Sequence, residues 1–347
     1  MSSVDGLTLD ESLTVLETHA GAADAEPVWP AASWDALRRS GALGWLIPRE
    51  YGGTGLAPLE LLEGYQRLAG ACLTTCFLLS QRDSACRRLR DSGNETLCRR
   101  LLPALATGER FATVGLAQLT TSRQHVRPVL TAQLDGDGVR LNGVMPWVTG
   151  APHADYFITG VVLEDGRQML LVVPRETPGL SVGRPMDLMA LQGSLTAEVR
   201  CDDVRLDRPW ILSGPAEQVI PPGRGPGGLE PSALALGLAR SAVAYLEQEA
   251  DKRPEWRPRA TACAERWNTL QGQLRRLARE GVEVQAAVNL RAKVNALALR
   301  GTQFALAASK GSGFLRSHPA QRWARQAMFF LVWAISSTGV QSTLEEM

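Results

Sequence analysis

The spacing of hydrophobic residues changes twice along the chain, and this change limits the folds that the chain can adopt. Up to about residue 110 the apolar residues recur at helical spacing, most clearly over 59–79. Over 111–206 they alternate with a period of two, which is typical of half-buried strands. After Pro231 the helical period returns and persists to the end. The sequence therefore predicts an α+β protein with a β domain between two helical regions.

Turn-forming residues divide the predicted β region into hairpins. Asp135-Gly136 and Asp165-Gly166 each separate two alternating segments, and Asp-Gly tolerates the positive φ that tight hairpin turns require. Pro231 fits the first turn of a helix, where its missing N–H costs nothing. We expect an N-terminal helical domain at 1–110, a central β domain at 111–212, a Pro- and Gly-rich linker at 213–228 and a C-terminal helical bundle at 229–347.

The composition of the chain narrows the classes of function. Of 347 residues, 45% are hydrophobic and 21% are charged, and 37 basic against 36 acidic residues give a formal net charge of +1. This balance disfavours nucleic acid or an anionic membrane surface as a partner. The apolar run at 327–335 is too short to span a bilayer, so we expect a cytoplasmic protein without a membrane span.

The six cysteines include no CxxC pair, and no cluster of His, Cys or carboxylate residues has the spacing of metal ligands. Cys72 and Cys76 are four residues apart in an apolar segment. The sequence predicts reduced core thiols and no metal site.

Four segments, taken together, resemble signatures of the acyl-CoA dehydrogenase family. They are GWLIPREYGGTGL at 44–56, LPALATGE at 102–109, LNGVMPWVT at 141–149, and TPGLSVGR at 177–184 followed by DDV at 202–204. Each segment alone is compatible with an ordinary turn or strand. An unrelated globular protein would not carry all four segments in this order and at this spacing. Together with the motifs nearer the C-terminus that are described below, the resemblance covers most of the chain.

The resemblance implies a helical, β and helical fold with a flavin, FAD, between the β domain and the C-terminal bundle. It also implies α,β-dehydrogenation of an acyl thioester carried on CoA or on an acyl carrier protein. In that reaction a carboxylate removes the α-proton while the β-hydrogen leaves as hydride. The resemblance also implies that the protein is a homodimer or homotetramer.

The resemblance also assigns residues at the flavin ring. Trp147 matches the aromatic residue that lies against the ring, and Thr149 matches the hydroxyl that binds near its reactive nitrogen. The next family motif is altered, because Ala117 replaces its flavin-binding threonine. Thr120, Thr121 or Ser122 are candidate substitutes, and of these Ser122 is chosen as the cofactor-binding residue.

Contacts to the nucleotide end of the flavin come, in the family, partly from a partner subunit. Arg253 and Trp256 match a motif with an arginine for the phosphates, although Trp256 replaces a phenylalanine. Gly311 matches a glycine-rich motif, and Ser336 retains a hydroxyl where relatives have threonine. We expect all four residues to bind the cofactor.

The usual catalytic glutamate is absent, because the aligned position is Ala334. A methyl group cannot accept a proton. Some relatives place the base in the first helix of the C-terminal bundle, where this chain offers Glu230. The simpler interpretation of Glu230 is a carboxylate that the helix dipole favours at a helix N-terminus.

Two other functions remain compatible with the sequence. A flavin-dependent monooxygenase on the same fold needs no base for an α-proton, which suits Ala334. A non-catalytic relative without flavin would explain the loss of several flavin contacts at once.

Overall fold

The structure is a computed structural model that describes residues 6–120, 129–220, 228–281 and 283–347. Its N-terminal part is helical, as predicted. The helices are α1 (Leu9–Ala25), α2 (Ala31–Arg39), α3 (Pro58–Ala71), α4 (Leu73–Asp91) and α5 (Glu95–Thr107).

Local capping explains where two of these helices begin. The Thr8 hydroxyl accepts a hydrogen bond from the Glu11 backbone N–H at 3.2 Å, and the Glu11 carboxylate accepts one from the Thr8 N–H at 2.8 Å. Asn94 Oδ1 likewise accepts from the Leu97 N–H at 3.1 Å and starts α5. These bonds satisfy N–H groups that have no partner within the helix.

The central part is a mixed sheet with the strand order β6-β7-β3-β2-β4-β5-β8, and β1 pairs with β4. The short helix α6 (Ala117–Thr120) follows β1. The strands are β1 (Ala112–Gly115), β2 (Leu130–Asp135), β3 (Gly138–Val148), β4 (Tyr156–Leu163), β5 (Gln168–Pro174), β6 (Leu180–Val182), β7 (Ala197–Leu206) and β8 (Ile211–Ala216).

Both predicted hairpin turns are confirmed. Asp135 pairs with Gly138 across the antiparallel β2–β3 ladder, and Asp165-Gly166 joins the antiparallel strands β4 and β5. Strand β8 continues to Ala216, so the sheet extends into the stretch that composition assigns to a linker.

The C-terminal part is a helical bundle, which confirms the predicted α+β fold class. Its helices are α7 (Glu230–Lys252), α8 (Arg257–Glu280), α9 (Val284–Ala308), α10 (Pro319–Phe329) and α11 (Ser337–Glu345). Among the described residues, no helix is long and apolar enough to cross a membrane.

The helical spacing that the sequence carries to its end is interrupted in the structure after Phe329. Helix α10 ends at Phe329, although the sequence stays apolar to residue 335. Side chains of α9 bind the carbonyl groups that a continuing helix would use: Asn295 Nδ2 donates to Phe330 O at 3.1 Å, and the Arg291 guanidinium donates to the Trp333 and Ala334 carbonyls. Ala334 adopts a φ of +47°. The segment is therefore an ordered loop.

Helix α7 packs closely on α3 two turns after its start. A Cβ atom on Gly237 would lie 2.3 Å from the Gln66 carbonyl oxygen, so only glycine allows this approach. Helix α4 lies between the two cores of the molecule. Its Leu78 belongs to the core of the sheet, whereas Phe77 packs edge-on against Phe329 and Trp333.

Candidate functional site

A cavity of about 1790 Å³ lies where the sheet meets both helical regions. One face of α4, the ends of β1 and β3, the first turn of α7 and the loop after α10 form its wall. Several residues discussed in the sequence analysis line it, among them Trp147, Thr149, Glu230 and Ala334. The structure thus brings Trp147 and Ala334, which are 187 positions apart in the chain, to one cavity.

Trp147 presents its ring to this cavity. The residue is 53% exposed, although its neighbour Val148 is fully buried. The pairing of β3 with β7 is irregular between Met145 and Val148, where Trp147 lies. A large aromatic ring left half uncovered at a cavity wall is suited to contact a bound planar group.

Thr149 is buried at the same wall. Its carbonyl accepts a hydrogen bond from Thr113 Oγ1 at 2.7 Å, which fixes the end of β3. Its hydroxyl lies 3.4 Å from Thr196 Oγ1, and Thr196 also lines the cavity. The two threonines supply hydroxyl groups beside the Trp147 ring.

Glu230 forms an ion pair with Arg87 of α4, a residue that the sequence analysis did not single out. Burial lowers the pKa of the Arg87 guanidinium, but the Glu230 carboxylate outweighs burial and raises it above its ordinary value. The simple interpretation of Glu230 as a free helix-terminal carboxylate therefore omits its main contact. This ion pair ties the start of α7 to α4 across the cavity wall.

A buried hydrogen-bonded group supports α4 behind this pair. Tyr65, which also lines the cavity, donates its hydroxyl to Asp83 Oδ2 at 2.6 Å. Asp83 pairs with the fully buried Arg82, whose guanidinium also donates to the Leu43 carbonyl. Burial, followed by the Asp83 and Glu230 charges, raises the pKa of Tyr65 well above its ordinary value. Tyr65 is thus a neutral hydrogen-bond donor in the site.

Arg88 follows Arg87 on α4 and also lines the cavity. Its Nη1 donates to the Ser84 hydroxyl at 2.7 Å and to the Ser84 carbonyl at 3.2 Å. Burial, followed by the neighbouring Arg87 charge, lowers the pKa of Arg88 to about 10.

Ala334, which the motif resemblance predicts at the position of the usual catalytic glutamate, lies in the cavity wall. Arg291 holds its carbonyl, and burial lowers the pKa of this arginine to about 10. The loop that would present a base is therefore ordered, but it presents a methyl group.

The residues assigned to the nucleotide end lie outside this cavity wall. Arg253 contacts Glu249 and the Ala308 carbonyl, and Arg259 lies over the Trp256 ring at 5.6 Å. Gly311 is exposed. The Ser336 hydroxyl accepts from the Gly339 N–H at 3.1 Å and caps α11.

Ser122, the candidate replacement in the altered flavin motif, falls outside the described residues, as does Thr121. Within the part of the chain that the structure describes, no group of three or more His, Cys, Asp or Glu side chains has metal-binding geometry.

The α4 residues were missed because the sequence analysis followed the apolar positions of this helix. The polar positions of α4 carried a signal. Starting from Ser80, the residues Ser84, Arg87, Arg88 and Asp91 each lie three or four positions after an earlier member of this set, in a region rich in Leu and Cys. This spacing defines one polar helix face, and that face lines the cavity.

Family comparisons define the class of protein. The chain matches "Acyl-CoA dehydrogenase, N-terminal domain" over residues 13–109 and "Acyl-CoA dehydrogenase, middle domain" over residues 117–204. The two matches together cover more than half of the chain. The chain therefore belongs to the acyl-CoA dehydrogenase superfamily.

Individual relatives agree with this assignment. The chain is 28% identical over 237 residues to the probable acyl-CoA dehydrogenase YngJ of Bacillus subtilis (strain 168), covering 65% of this chain and 61% of that protein. It is 26% identical over 231 residues to the mitochondrial short-chain specific acyl-CoA dehydrogenase of Homo sapiens, covering 63% and 55%. The alignments thus span less than two thirds of the length of these relatives.

Solved structures share the fold over nearly the whole chain. The butyryl-CoA dehydrogenase of Megasphaera elsdenii superposes with a TM-score of 0.86 at 18% identity, covering 99% of this chain and 98% of that one. The prolyl acyl carrier protein oxidase AnaB superposes with a TM-score of 0.84 at 19% identity, covering 97% and 98%.

Proposed function

We propose that the protein is an FAD-dependent oxidoreductase that dehydrogenates the α,β bond of an acyl thioester. The observation that carries this proposal is that Trp147, Thr149 and Glu230 line one cavity in a member of this superfamily. The relatives are named for acyl-CoA substrates, and AnaB is named for a prolyl acyl carrier protein. We infer that the acyl group is carried on CoA or on an acyl carrier protein.

The residues at the Trp147 end of the cavity fit the ring system of a flavin. The half-exposed Trp147 indole offers an aromatic face, and the Thr149 and Thr196 hydroxyls lie at the same wall. When bound, FAD supplies the hydride acceptor for this reaction. Trp147 and Thr149 would hold the ring and set its orientation, while the cavity limits the access of water.

The residues assigned to the nucleotide end support an oligomer. Arg253, Trp256, Gly311 and Ser336 lie away from the cavity wall of their own subunit. We infer that Arg253, Trp256 and Gly311 contact the cofactor of a neighbouring subunit, and that the protein is a homodimer or homotetramer.

Glu230 is our candidate for the base, and Arg87 is its positioning residue. A carboxylate that takes up a proton loses part of its attraction to a neighbouring guanidinium. We infer that substrate binding weakens the Arg87–Glu230 contact, so that the carboxylate can accept the α-proton. With Ala334 in the usual position, no carboxylate is available from that loop.

Anaerobic reduction of the FAD-loaded protein by acyl thioesters tests this function. We expect Glu230→Gln to keep its flavin but to be reduced about two orders of magnitude more slowly, since it lacks the general base. Arg87→Gln retains the carboxylate and should remain reducible. Glu247→Gln is the matched control, because Glu247 lies on the same helix and outside the cavity wall.

A wild-type rate in Glu230→Gln would remove Glu230 from the reaction. Equal losses in Glu230→Gln and Arg87→Gln would indicate that the ion pair acts only by supporting the fold.

A flavin-dependent monooxygenase is the second candidate, and the Ala334 methyl group in the cavity wall is the observation that favours it. Such a reaction needs no base for an α-proton. If no thioester reduces the flavin anaerobically, but the dithionite-reduced flavoprotein transfers an oxygen atom to an added substrate once oxygen is admitted, this second function is selected.

A further inference from the structure

The charged side chains on the cavity wall do not balance one another. Glu230 pairs with Arg87, Asp91 pairs with Arg90 at 2.7 Å, and Arg325 pairs with Asp24 at 2.6 Å. Arg88 also lines the cavity, yet within the described residues it forms no ion pair, and its hydrogen bonds go only to Ser84. The charges of Glu230 and Asp91 act on it from a distance, but each of these carboxylates is paired with another arginine. Among the described residues, Arg88 on the α4 face of the cavity is therefore left without an ion-pair partner of its own.

Arg88 keeps free the edge of its guanidinium that recognises oxyanions. Its contacts within the described residues use Nη1, whereas Nε and Nη2 make none. These two groups form a planar fork that matches the two oxygens of a carboxylate. The bonds to Ser84 hold the side chain in place, so that the fork is ordered before a ligand arrives.

The cavity wall next to Arg88 is polar. Ser80, Gln81 and Ser84 lie on the same face of α4 and line the cavity. At the far end of this face, Phe77 packs on Trp333, the neighbour of Ala334. Arg88 is eleven positions after Phe77, which places it about 16 Å further along the helix axis. The polar face thus leads away from the Ala334 loop.

A partly buried cation without a partner is unfavourable, because its lost hydration is not replaced. The lowered pKa of Arg88, caused by burial and then by Arg87, reflects this cost. An anionic ligand would restore the balance. An unbranched hydrocarbon chain would leave the charge uncompensated.

We propose that Arg88 binds a carboxylate at the distal end of the acyl group, so that the substrate class is the thioester of a dicarboxylic acid. This inference rests on the proposed function, because it takes the cavity to be the acyl-binding site. The other oxyanion in such a substrate is a phosphate of the carrier, and the experiment separates the two sources.

Calorimetric binding to the FAD-saturated protein provides the test. The probes are pantetheine thioesters of the dicarboxylic acids from succinyl to pimeloyl, each compared with the monocarboxylic thioester of equal carbon number. Pantetheine carries no phosphate. We expect at least one dicarboxylic thioester to bind about 10- to 100-fold more tightly than the monocarboxylic thioester of equal carbon number. This is the usual range for a hydrogen bond to a charged group.

Variants test whether Arg88 causes this preference for dicarboxylic thioesters. Arg88→Gln should abolish it, and Arg88→Lys should retain part of it, since lysine keeps the charge but lacks the fork. Arg99→Gln is the matched control, because Arg99 is exposed on α5 and pairs with Glu95. It should behave as the wild type does.

Equal binding of every matched pair by the wild type would overturn the proposal, whether or not the variants fold. An unchanged preference for dicarboxylic thioesters in a folded Arg88→Gln protein would overturn it as well. If Arg88→Gln weakens binding of hexanoyl-CoA but not of hexanoyl-pantetheine, Arg88 binds phosphate, and the carboxylate proposal is wrong.

Failure of this inference and failure of the proposed function give different results. A carboxylate preference in binding without anaerobic flavin reduction would refute dehydrogenation and keep the Arg88 site. Flavin reduction by thioesters without a carboxylate preference would refute the Arg88 site alone.

Discussion

Trp147 keeps about half of its surface uncovered, at the end of a strand whose neighbouring residue is fully buried. An exposed ring contributes little to the core, so its removal should have little effect on stability. If the ring contacts FAD, Trp147→Ala should lose cofactor, while the thermal unfolding of its FAD-free form stays near that of the FAD-free wild type. Flavin content per chain is the measurement.

Leu134→Ala is the matched control for this variant. Leu134 lies in the same sheet and is 57% exposed, but it is not part of the cavity wall. It should keep its flavin. Full occupancy in Trp147→Ala would contradict the role of the ring.

All six cysteines are free and buried, which confirms the prediction that they are core thiols. Burial raises the pKa of Cys86 to about 12 and that of Cys201 to about 12. Because the thiolate is the reactive form, these thiols should stay inert at mildly alkaline pH and react only as the pH approaches that value or as the chain unfolds.

Thiol titration with a disulfide reagent checks this expectation. The native protein should react slowly, whereas the urea-unfolded protein should release all six equivalents. Rapid labelling of several thiols in the native state would show that the helical core opens more readily than its burial indicates.

At the scale of elements, Arg291 of α9 holds the loop that follows α10. It donates to the Trp333 and Ala334 carbonyls from a buried position. Hydrogen bonds from a charged group contribute about 1.5–3 kcal/mol each, so Arg291→Met should lower the free energy of unfolding by about 3 kcal/mol. It should also speed hydrogen exchange in the loop at 331–336.

Denaturant unfolding and hydrogen exchange together measure these effects. Arg276→Met, at an exposed position of α8, is the control and should leave both unchanged. Slow exchange of the loop in Arg291→Met would mean that other contacts order it.

The same loop illustrates what local sequence predicts and what it does not. The Asp-Gly hairpins and the Asn94 cap were predictable because each depends on a few adjacent residues. The end of α10 at Phe329 was not, since the apolar pattern continues to residue 335. Helix α10 stops where side chains of α9 bind the backbone, and this contact has no local signature.

At the scale of the whole molecule, the candidate site also has one part that the sequence predicts and one part that it does not. Trp147 and Thr149 belong to one short motif, and their position at the cavity follows from that motif. The ion pair between Arg87 and Glu230 joins residues 143 positions apart. Only the packing of α7 on α3 and α4 reveals that the proposed base has an arginine partner.

Whether each chain carries a flavin tests the central claim most directly. The protein is saturated with FAD and separated by size-exclusion chromatography with light scattering and visible absorbance, which gives flavin per chain and molar mass together. We predict a yellow oligomer with one FAD per chain. A colourless protein would contradict the proposed oxidoreductase and select a flavin-free relative, and a flavin-loaded monomer would remove the partner-side role of Arg253.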